Sequence, residues 1–457
     1  MVIALKFILL SGGSGKRLWP LSNDARSKQF LKVLPAKEGS LESMVQRVKR
    51  QITKHVGEED IFIATSKSQV EILKSQLGNN IHIIIEPTRK DTFPAIALAA
   101  TYLYSVQNIS LDETVVTLPV DPFVDDEFFS MVRDLEDALQ LSNADLALIG
   151  ILPTYPSEKY GYIVPAESKV NYLVVDYFTE KPNEEKAKEL IKEDALWNSG
   201  VFGFKLNTII NKIKQKGLPT DYEQLLHSYF DLEKISFDYA VVEETKNIVC
   251  IPYDGNWKDL GTWNTLTEEI TSPLIGKGIV AEEALNTHVI NELDIPVTVL
   301  GVKDTVVALS PDGVLVTTKD NSPKIKQYVE ENQPMYEERR WGSSTVLDYT
   351  KTNEGLEVYT RKIIINSDCN LSYQRHHKSK KTWTVISGLG EFLLNGSLTK
   401  VTSGDVLYIN EGELHSIKAI TQIHIIEVQS GIGPIDEKID RIAVDWQQIS
   451  EKYISQN

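Results

Sequence analysis

An apolar run of strand length, Leu5-Lys6-Phe7-Ile8-Leu9-Leu10, passes directly into Ser11-Gly12-Gly13-Ser14-Gly15-Lys16-Arg17-Leu18-Trp19-Pro20-Leu21-Ser22. Such a run reads as a buried strand, so the glycines lie at its carboxyl end, the edge where open α/β sheets take ligands. Gly12, Gly13 and Gly15 let backbone amides come close to a polyphosphate, and Arg17 and Lys28 add positive charge at the same edge. The chain therefore has to build an α/β domain with an anion site. Two common phosphate loops do not match. A Walker loop needs Ser or Thr after Gly15-Lys16, where Arg17 stands, and a dinucleotide fingerprint needs a glycine opening a helix, where Pro20 interrupts one.

The downstream pattern agrees. Strand-like stretches at 60–65, 81–85, 114–118 and 146–149 alternate with helix-like stretches at 66–77, 92–104 and 126–141. This predicts a mostly parallel sheet covered on both faces. Between 150 and 270 the regularity breaks into shorter elements, the usual source of a second substrate's pocket. From 279 to 316 the chain is β-rich, and 319–334 reads as a charged linker with prolines. After Arg340-Trp341-Gly342 come short strands at 359–365, 383–386, 391–394, 406–409 and 423–428, which predict an antiparallel sandwich or barrel. The expected domains are 1–270, 271–334 and 335–457.

The 457 residues exceed one ordinary core. A formal net charge of -16 argues against a nucleic-acid surface while permitting a local basic pocket for phosphates. Cys250 and Cys369 are the two cysteines, too few for a disulfide framework. No apolar stretch reaches the roughly 20 residues of a membrane span, and no leader is evident at the start, so a cytoplasmic protein with no membrane partner is expected.

The glycine-rich stretch with Lys28-Gln29-Phe30 resembles the sugar-nucleotide pyrophosphorylases, and Arg-Leu-Trp-Pro-Leu-Ser is similar to their mannose-1-phosphate guanylyltransferase branch. Ser27 stands where that family carries proline. The resemblance implies a Rossmann-like nucleotidyltransferase domain, a small all-β connecting domain and a C-terminal cupin β-barrel. It assigns Gly12, Gly13 and Gly15 to the nucleotide, and Arg17 and Lys28 to the β- and γ-phosphates. Asp121 in Leu118-Pro119-Val120-Asp121 and Asp259 in Trp257-Lys258-Asp259-Leu260-Gly261 would hold Mg²⁺ through oxygen ligands. Either aspartate alone would more often be a cap or turn residue, and Pro122 replaces the family's usual histidine. Glu86 and Lys90, in Glu86-Pro87-Thr88-Arg89-Lys90-Asp91-Thr92, frame the nucleotide in this scheme. Gly161, Glu180, Lys181 and Asn198 form the sugar side, with Lys181 on the sugar phosphate and Glu180 accepting hydroxyls, while 237–243 supports the pocket wall.

The implied reaction is in-line attack of mannose 1-phosphate on the α-phosphorus of GTP, giving GDP-mannose and pyrophosphate. The same scaffold would serve another sugar 1-phosphate, such as a manno-heptose 1-phosphate, or a catalytically silent regulatory subunit. A homodimer is an expected assembly.

The C-terminal stretch resembles the phosphomannose isomerase domain attached to long bacterial guanylyltransferases, whose metal is held by Gln, His, Glu and a later His. Gln374, His376 and His415 remain, but Lys381 occupies the glutamate position. An ammonium has no lone pair for Zn²⁺ or a similar ion and repels it by several kcal/mol at low dielectric. The expectation is a structural or regulatory cupin with isomerase activity lost or residual. Glu391 or Glu413 is the candidate substitute ligand, and His377 reads as a surface histidine.

Overall fold

The computed structural model describes residues 5–13, 16–36, 39–329, 334–432 and 439–454. The first strands follow the alternation: β1 (Lys6–Leu10), β2 (Ile61–Ser66), β3 (His82–Glu86) and β4 (Thr114–Pro119). Helices α1 (Met44–Ile52), α2 (Val70–Leu77) and α3 (Thr92–Thr101) lie between them. Helix α1 begins with reciprocal capping, the Gln46 amide donating to Ser43 Oγ and the Ser43 amide to Gln46 Oε1. Helix α3 is apolar on every side and correspondingly buried from Phe93 to Thr101, between the sheet and the helix over Leu206–Gln215.

A nine-stranded sheet forms the centre. After β4 come β5 (Pro122–Val124), α4 (Asp126–Ser142), β6 (Leu146–Ile151), β7 (Tyr162–Ser168), β8 (Leu173–Thr179), β9 (Leu196–Lys205) and β10 (Ile248–Tyr253). The order is β3-β2-β1-β4-β9-β6-β10-β8-β7. Pairing is parallel through β3-β2-β1-β4 and again between β6 and β10, as the βα alternation requires. Strand β9 enters antiparallel between β4 and β6, and β7 and β8 form an antiparallel edge, so the sheet is mixed beyond β4.

The register prepares the site. Leu10 of β1 lies beside Pro119 of β4, so the glycine loop and Asp121 leave neighbouring parallel strands at one edge. Strand β11 (Trp257–Asp259) then pairs antiparallel with β5, setting Asp259 opposite Pro122. Two aspartates 138 positions apart in the sequence thereby become neighbours across a two-stranded ribbon.

The β-rich region comprises β12 (Leu274–Ile275), β13 (Gly278–Val280), β14 (His288–Asn291), β15 (Val297–Val299), β16 (Thr305–Ser310) and β17 (Gly313–Thr318). Its short strands pair in parallel, β12-β14-β16 and β13-β15, before β17 returns antiparallel. Residues Lys319–Gln327, expected as linker, coil into 3₁₀ turns instead. The reason is Ile325, buried in one core with Leu18, Leu31, Trp263 and Val306.

The C-terminal barrel is two antiparallel sheets, as its alternating short strands require. Its strands are β18 (Tyr336–Arg339), β19 (Gly342–Lys351), β20 (Leu356–Ile365), β21 (Tyr373–His376), β22 (Ser379–Ser387) and β23 (Leu389–Leu394). The remainder are β24 (Ser397–Thr402), β25 (Val406–Ile409), β26 (His415–Ala419), β27 (Ile423–Ile432) and β28 (Ile439–Ala443). The sheets run β18-β19-β20-β27-β22-β25 and β24-β23-β26-β21-β28. No helix among the described residues is long and apolar enough to cross a membrane.

Candidate active site

Lys28 joins the two aspartates. Its Nζ donates to Asp121 Oδ2 at 2.8 Å and to Asp259 Oδ1 at 2.9 Å. Burial alone would lower the lysine pKa, but the two carboxylates outweigh it and raise the value, so the ammonium persists. Gly261 leaves this group room, since a Cβ there would lie 3.1 Å from Asp259 Oδ1 and the carboxylate would have to shift by a few tenths of an ångström.

Ser27 determines how Lys28 is presented. It has φ -69°, a value open to proline, and its hydroxyl donates to the Gly13 carbonyl at 2.6 Å. Gln69 Nε2 donates to Ser27 Oγ at 2.6 Å and to the same Gly13 carbonyl at 3.2 Å, while Gln29 Nε2 donates to the Ser11 carbonyl at 3.0 Å. Hydrogen bonds thus constrain the loop at a position where a proline would do so by covalent geometry. Arg17 is exposed and makes no hydrogen bond or ion pair among the described residues, and Gly15 lies outside them.

Glu86 ends β3 with its carboxylate buried under Gly12, where a Cβ would come within 3.1 Å of Oε1. Tyr229 donates to Glu86 Oε2 at 2.8 Å, and burial raises the Glu86 pKa. Lys90 is committed elsewhere: its ammonium donates to the carbonyls of Phe230 and, at 2.6 Å, Leu232, so it pins the 229–232 turn.

A cavity of about 230 Å³ opens beside the aspartates. Asp121 and Asp259 line it together with Gly161, Glu180, Asn198 and Asp238. Gly161 cannot carry a side chain, since a Cβ would sit 2.5 Å from Glu180 Oε2 and 2.4 Å from the Phe178 ring. The Gly161 carbonyl accepts from the Asn198 amide at 2.8 Å, and Asn198 Nδ2 donates to Asp238 Oδ1 at 2.7 Å. Lys181, held at φ +46°, pairs with Glu180 at the rim. Burial, reinforced by Glu180, pushes the Asp238 carboxyl up to about 6.

The barrel carries a different arrangement. Lys381 Nζ donates to Glu427 Oε2 at 2.9 Å, and Trp383 Nε1 donates to the same oxygen at 2.7 Å. Burial would raise the Glu427 pKa, but Lys381 and Arg361 hold it down at about 2. His376 and His415 stack with centroids 5.5 Å apart, and Gln374 Nε2 meets His376 Nε2 at 3.4 Å. Burial and then Lys381 lower the His376 pKa to about 2 and that of His415 to about 4, so both imidazoles are neutral. The donor set does not fit a metal, because Lys381 is itself a member of it and its ammonium, fixed on Glu427, has no lone pair to give. No group of three or more His, Cys, Asp or Glu among the described residues could hold an ion. Neither substitute ligand takes the place of glutamate: Glu413 caps the turn at Asn410 and bonds Asn395, and Glu391 lies on β23 opposite Lys400 and Lys418. His377 bonds Asp440 at the surface.

Residues 6–273 match the Nucleotidyl transferase family, and residues 326–443 match Mannose-6-phosphate isomerase C-terminal. A putative mannose-1-phosphate guanylyltransferase of Vibrio cholerae serotype O1 is 30% identical over 93% of this chain and 96% of its own length. The mannose-1-phosphate guanylyltransferase RfbM of Salmonella typhimurium is also 30% identical, over 95% and 96%. The chain belongs to the mannose-1-phosphate guanylyltransferase family.

A crystal structure described as mannose-1-phosphate geranyltransferase from Thermus thermophilus superposes with a TM-score of 0.58 at 27% identity, covering 71% of this chain and 98% of that one. Within this guanylyltransferase scaffold, the resemblance gives Asp238 only a place in the stretch supporting the pocket wall and gives Glu427 no role, whereas the structure brings Asp238 into the cavity and Glu427 against Lys381. Both carried a signal. Asp238 is an acidic residue inside an apolar stretch, and Glu427 falls in period two with the inward-facing Ile423, Ile425 and Gln429 of β27.

Proposed function

We propose that the chain transfers a guanylyl group from GTP to mannose 1-phosphate, releasing pyrophosphate and forming GDP-mannose. The observation that supports this best is that Asp121, Asp259, Gly161, Glu180, Asn198 and Asp238 line one and the same cavity. An oxygen of the sugar phosphate forms the new bond to the α-phosphorus, the bond from that phosphorus to the β-bridging oxygen breaks, and pyrophosphate departs with the electron pair. No protein nucleophile is needed; positioning and charge neutralisation suffice.

Asp121 and Asp259 are hard oxygen donors that would hold Mg²⁺. When bound, that ion neutralises charge on the phosphoryl oxygens. Lys28 holds the two carboxylates together in the free chain and presents its ammonium to the incoming triphosphate. Gly12 and Gly13 offer backbone amides, and Arg17, exposed and uncommitted among the described residues, meets the leaving phosphates. Glu180 accepts sugar hydroxyls, Lys181 seats the sugar phosphate, and Asn198 is aligned by Asp238. In this reading the enzyme is cytoplasmic and uses free metabolites.

The barrel supplies no isomerase in this reading, since Lys381 and Glu427 occupy the metal position. Pyrophosphate release across a panel of nucleoside triphosphates and sugar 1-phosphates tests the proposal. GTP with mannose 1-phosphate should be the fastest pair. Faster turnover with a manno-heptose 1-phosphate, or no turnover with any pair, would overturn it.

A further inference from the structure

The turn that delivers Lys28 is held by the segments that follow the transferase domain. Asn23 closes this turn: its amide donates to the Arg26 carbonyl at 2.9 Å, and its Oδ1 accepts from the Arg26 amide at 2.8 Å. Arg26 is 7% exposed, and its guanidinium forks onto Glu292, Nη1 to Oε2 at 2.8 Å and Nη2 to Oε1 at 2.7 Å. Glu292 follows β14 of the β-rich region, 266 positions along the chain. Asp312, in the turn between β16 and β17, accepts from Asn23 Nδ2 at 2.8 Å, and Ser310 donates to the Pro20 carbonyl at 2.6 Å.

The barrel reaches the same turn. The Tyr336 ring of β18 faces the Arg26 guanidinium, its centroid 5.1 Å from Cζ. Two residues on, along the same face of that strand, Glu338 accepts from Lys32 at 3.0 Å, from Ser75 at 2.8 Å and from Gln76 at 3.2 Å. Gln76 Nε2 also donates to the Phe30 carbonyl at 2.9 Å. Positions 26, 30 and 32 are thus tied down on both sides of Lys28. Apolar packing would join these segments as firmly as a buried ion pair does. What the fork adds is direction, because two guanidinium N–H groups must meet two carboxylate oxygens at once.

We infer that Arg26 is a positioning residue for Lys28, seated by Glu292 of the β-rich region and Tyr336 of the barrel, and that the barrel serves the transferase by fixing this turn. The inference rests on the proposed function only in that Lys28 meets a polyphosphate. Arg26 touches no reacting atom in this account; it sets where the Lys28 ammonium stands relative to Asp121, Asp259 and the incoming anion.

Isothermal calorimetry on the full chain with tripolyphosphate and Mg²⁺, without nucleoside or sugar, tests the positioning apart from the transfer reaction. Arg26→Met and Glu292→Gln change the local charge in opposite senses. A through-space effect on the anion would therefore weaken binding in the first and strengthen it in the second. Positioning predicts weaker binding in both, by about tenfold. Tyr336→Leu, which alters no charge, should weaken it by about threefold. The double substitution Arg26→Met with Glu292→Met leaves no buried charge alone, so it should restore the urea midpoint lost in the single variants without restoring binding. In turnover, these variants should raise KM for GTP and leave KM for mannose 1-phosphate unchanged. Affinity unchanged or increased in Glu292→Gln, affinity recovered together with stability in the double variant, or no binding of tripolyphosphate by the unaltered chain would overturn the inference. Tripolyphosphate binding with no pyrophosphate release from any substrate pair would count against the guanylyl transfer and not against the placement of Lys28.

Discussion

Lys28 Nζ lies 2.8 Å from Asp121 Oδ2, so the lysine after the glycine loop and the aspartate after β4 form one charged unit at the edge of the sheet. The same ammonium reaches Asp259 at 2.9 Å. Replacing Lys28 by Ala leaves two neighbouring carboxylates without their cation and removes charge from the triphosphate. Turnover should fall by about 10²–10³, the cost of one charge-stabilising group. Steady-state pyrophosphate release checks this. An unchanged rate would remove Lys28 from the mechanism.

Asp238 predicts a pH dependence. Burial and the nearby Glu180 raise its carboxyl from 3.8 to about 6, so the group is ionised above about 6 and neutral below. The ionised form aligns Asn198 better than the neutral one by about 1 kcal/mol, so KM for the sugar 1-phosphate should rise about fivefold as pH falls through 6. Asp238→Asn should flatten that profile. For stability the sign is opposite: a raised carboxyl pKa stabilises the fold at low pH, and that contribution is lost as pH rises through about 6.

The barrel responds to acid. His376 and His415 are lowered from 6.5 to about 2 and about 4, so the unfolded chain binds more protons, and stability declines as pH falls below about 6.5. Glu427 is lowered from 4.5 to about 2, so its contribution is present above 4.5 and is lost as pH drops toward 2. Denaturant unfolding followed by tryptophan fluorescence should show a slope between pH 6.5 and 4 that His415→Gln reduces. An identical slope in that variant would contradict the assignment.

Much of this was legible in the sequence, for physical reasons. The alternation of apolar strands and helices predicts β1 to β4, and the Gly12-Gly13 turn locates the ligand edge, because both are local patterns. The antiparallel insertion of β9 and the burial of Ile325 depend on distant partners and leave no local mark. The same holds for Lys90, whose commitment to the Phe230 and Leu232 carbonyls joins segments about 140 residues apart. The lysine at position 381 was readable, whereas its pairing with Glu427 needed the register of β22 against β27.

Ser27 supplies a subtler test. Ser27→Ala removes the hydroxyl between Gly13 and Gln69 and should destabilise the chain by about 1 kcal/mol, with a higher KM for GTP. Ser27→Pro keeps the backbone angle and should retain more activity than a substitution by glycine. Thermal unfolding together with GTP titration of turnover measures both.

The most direct test of the account is isotope exchange between labelled pyrophosphate and GTP in the presence of GDP-mannose. Exchange requires the nucleotide, sugar and leaving-group sites to act as one. The account predicts rapid labelling of GTP by the unaltered chain and a loss of about 10²-fold or more in Asp259→Asn. No labelling by the unaltered chain, or equal labelling by the variant, would contradict it.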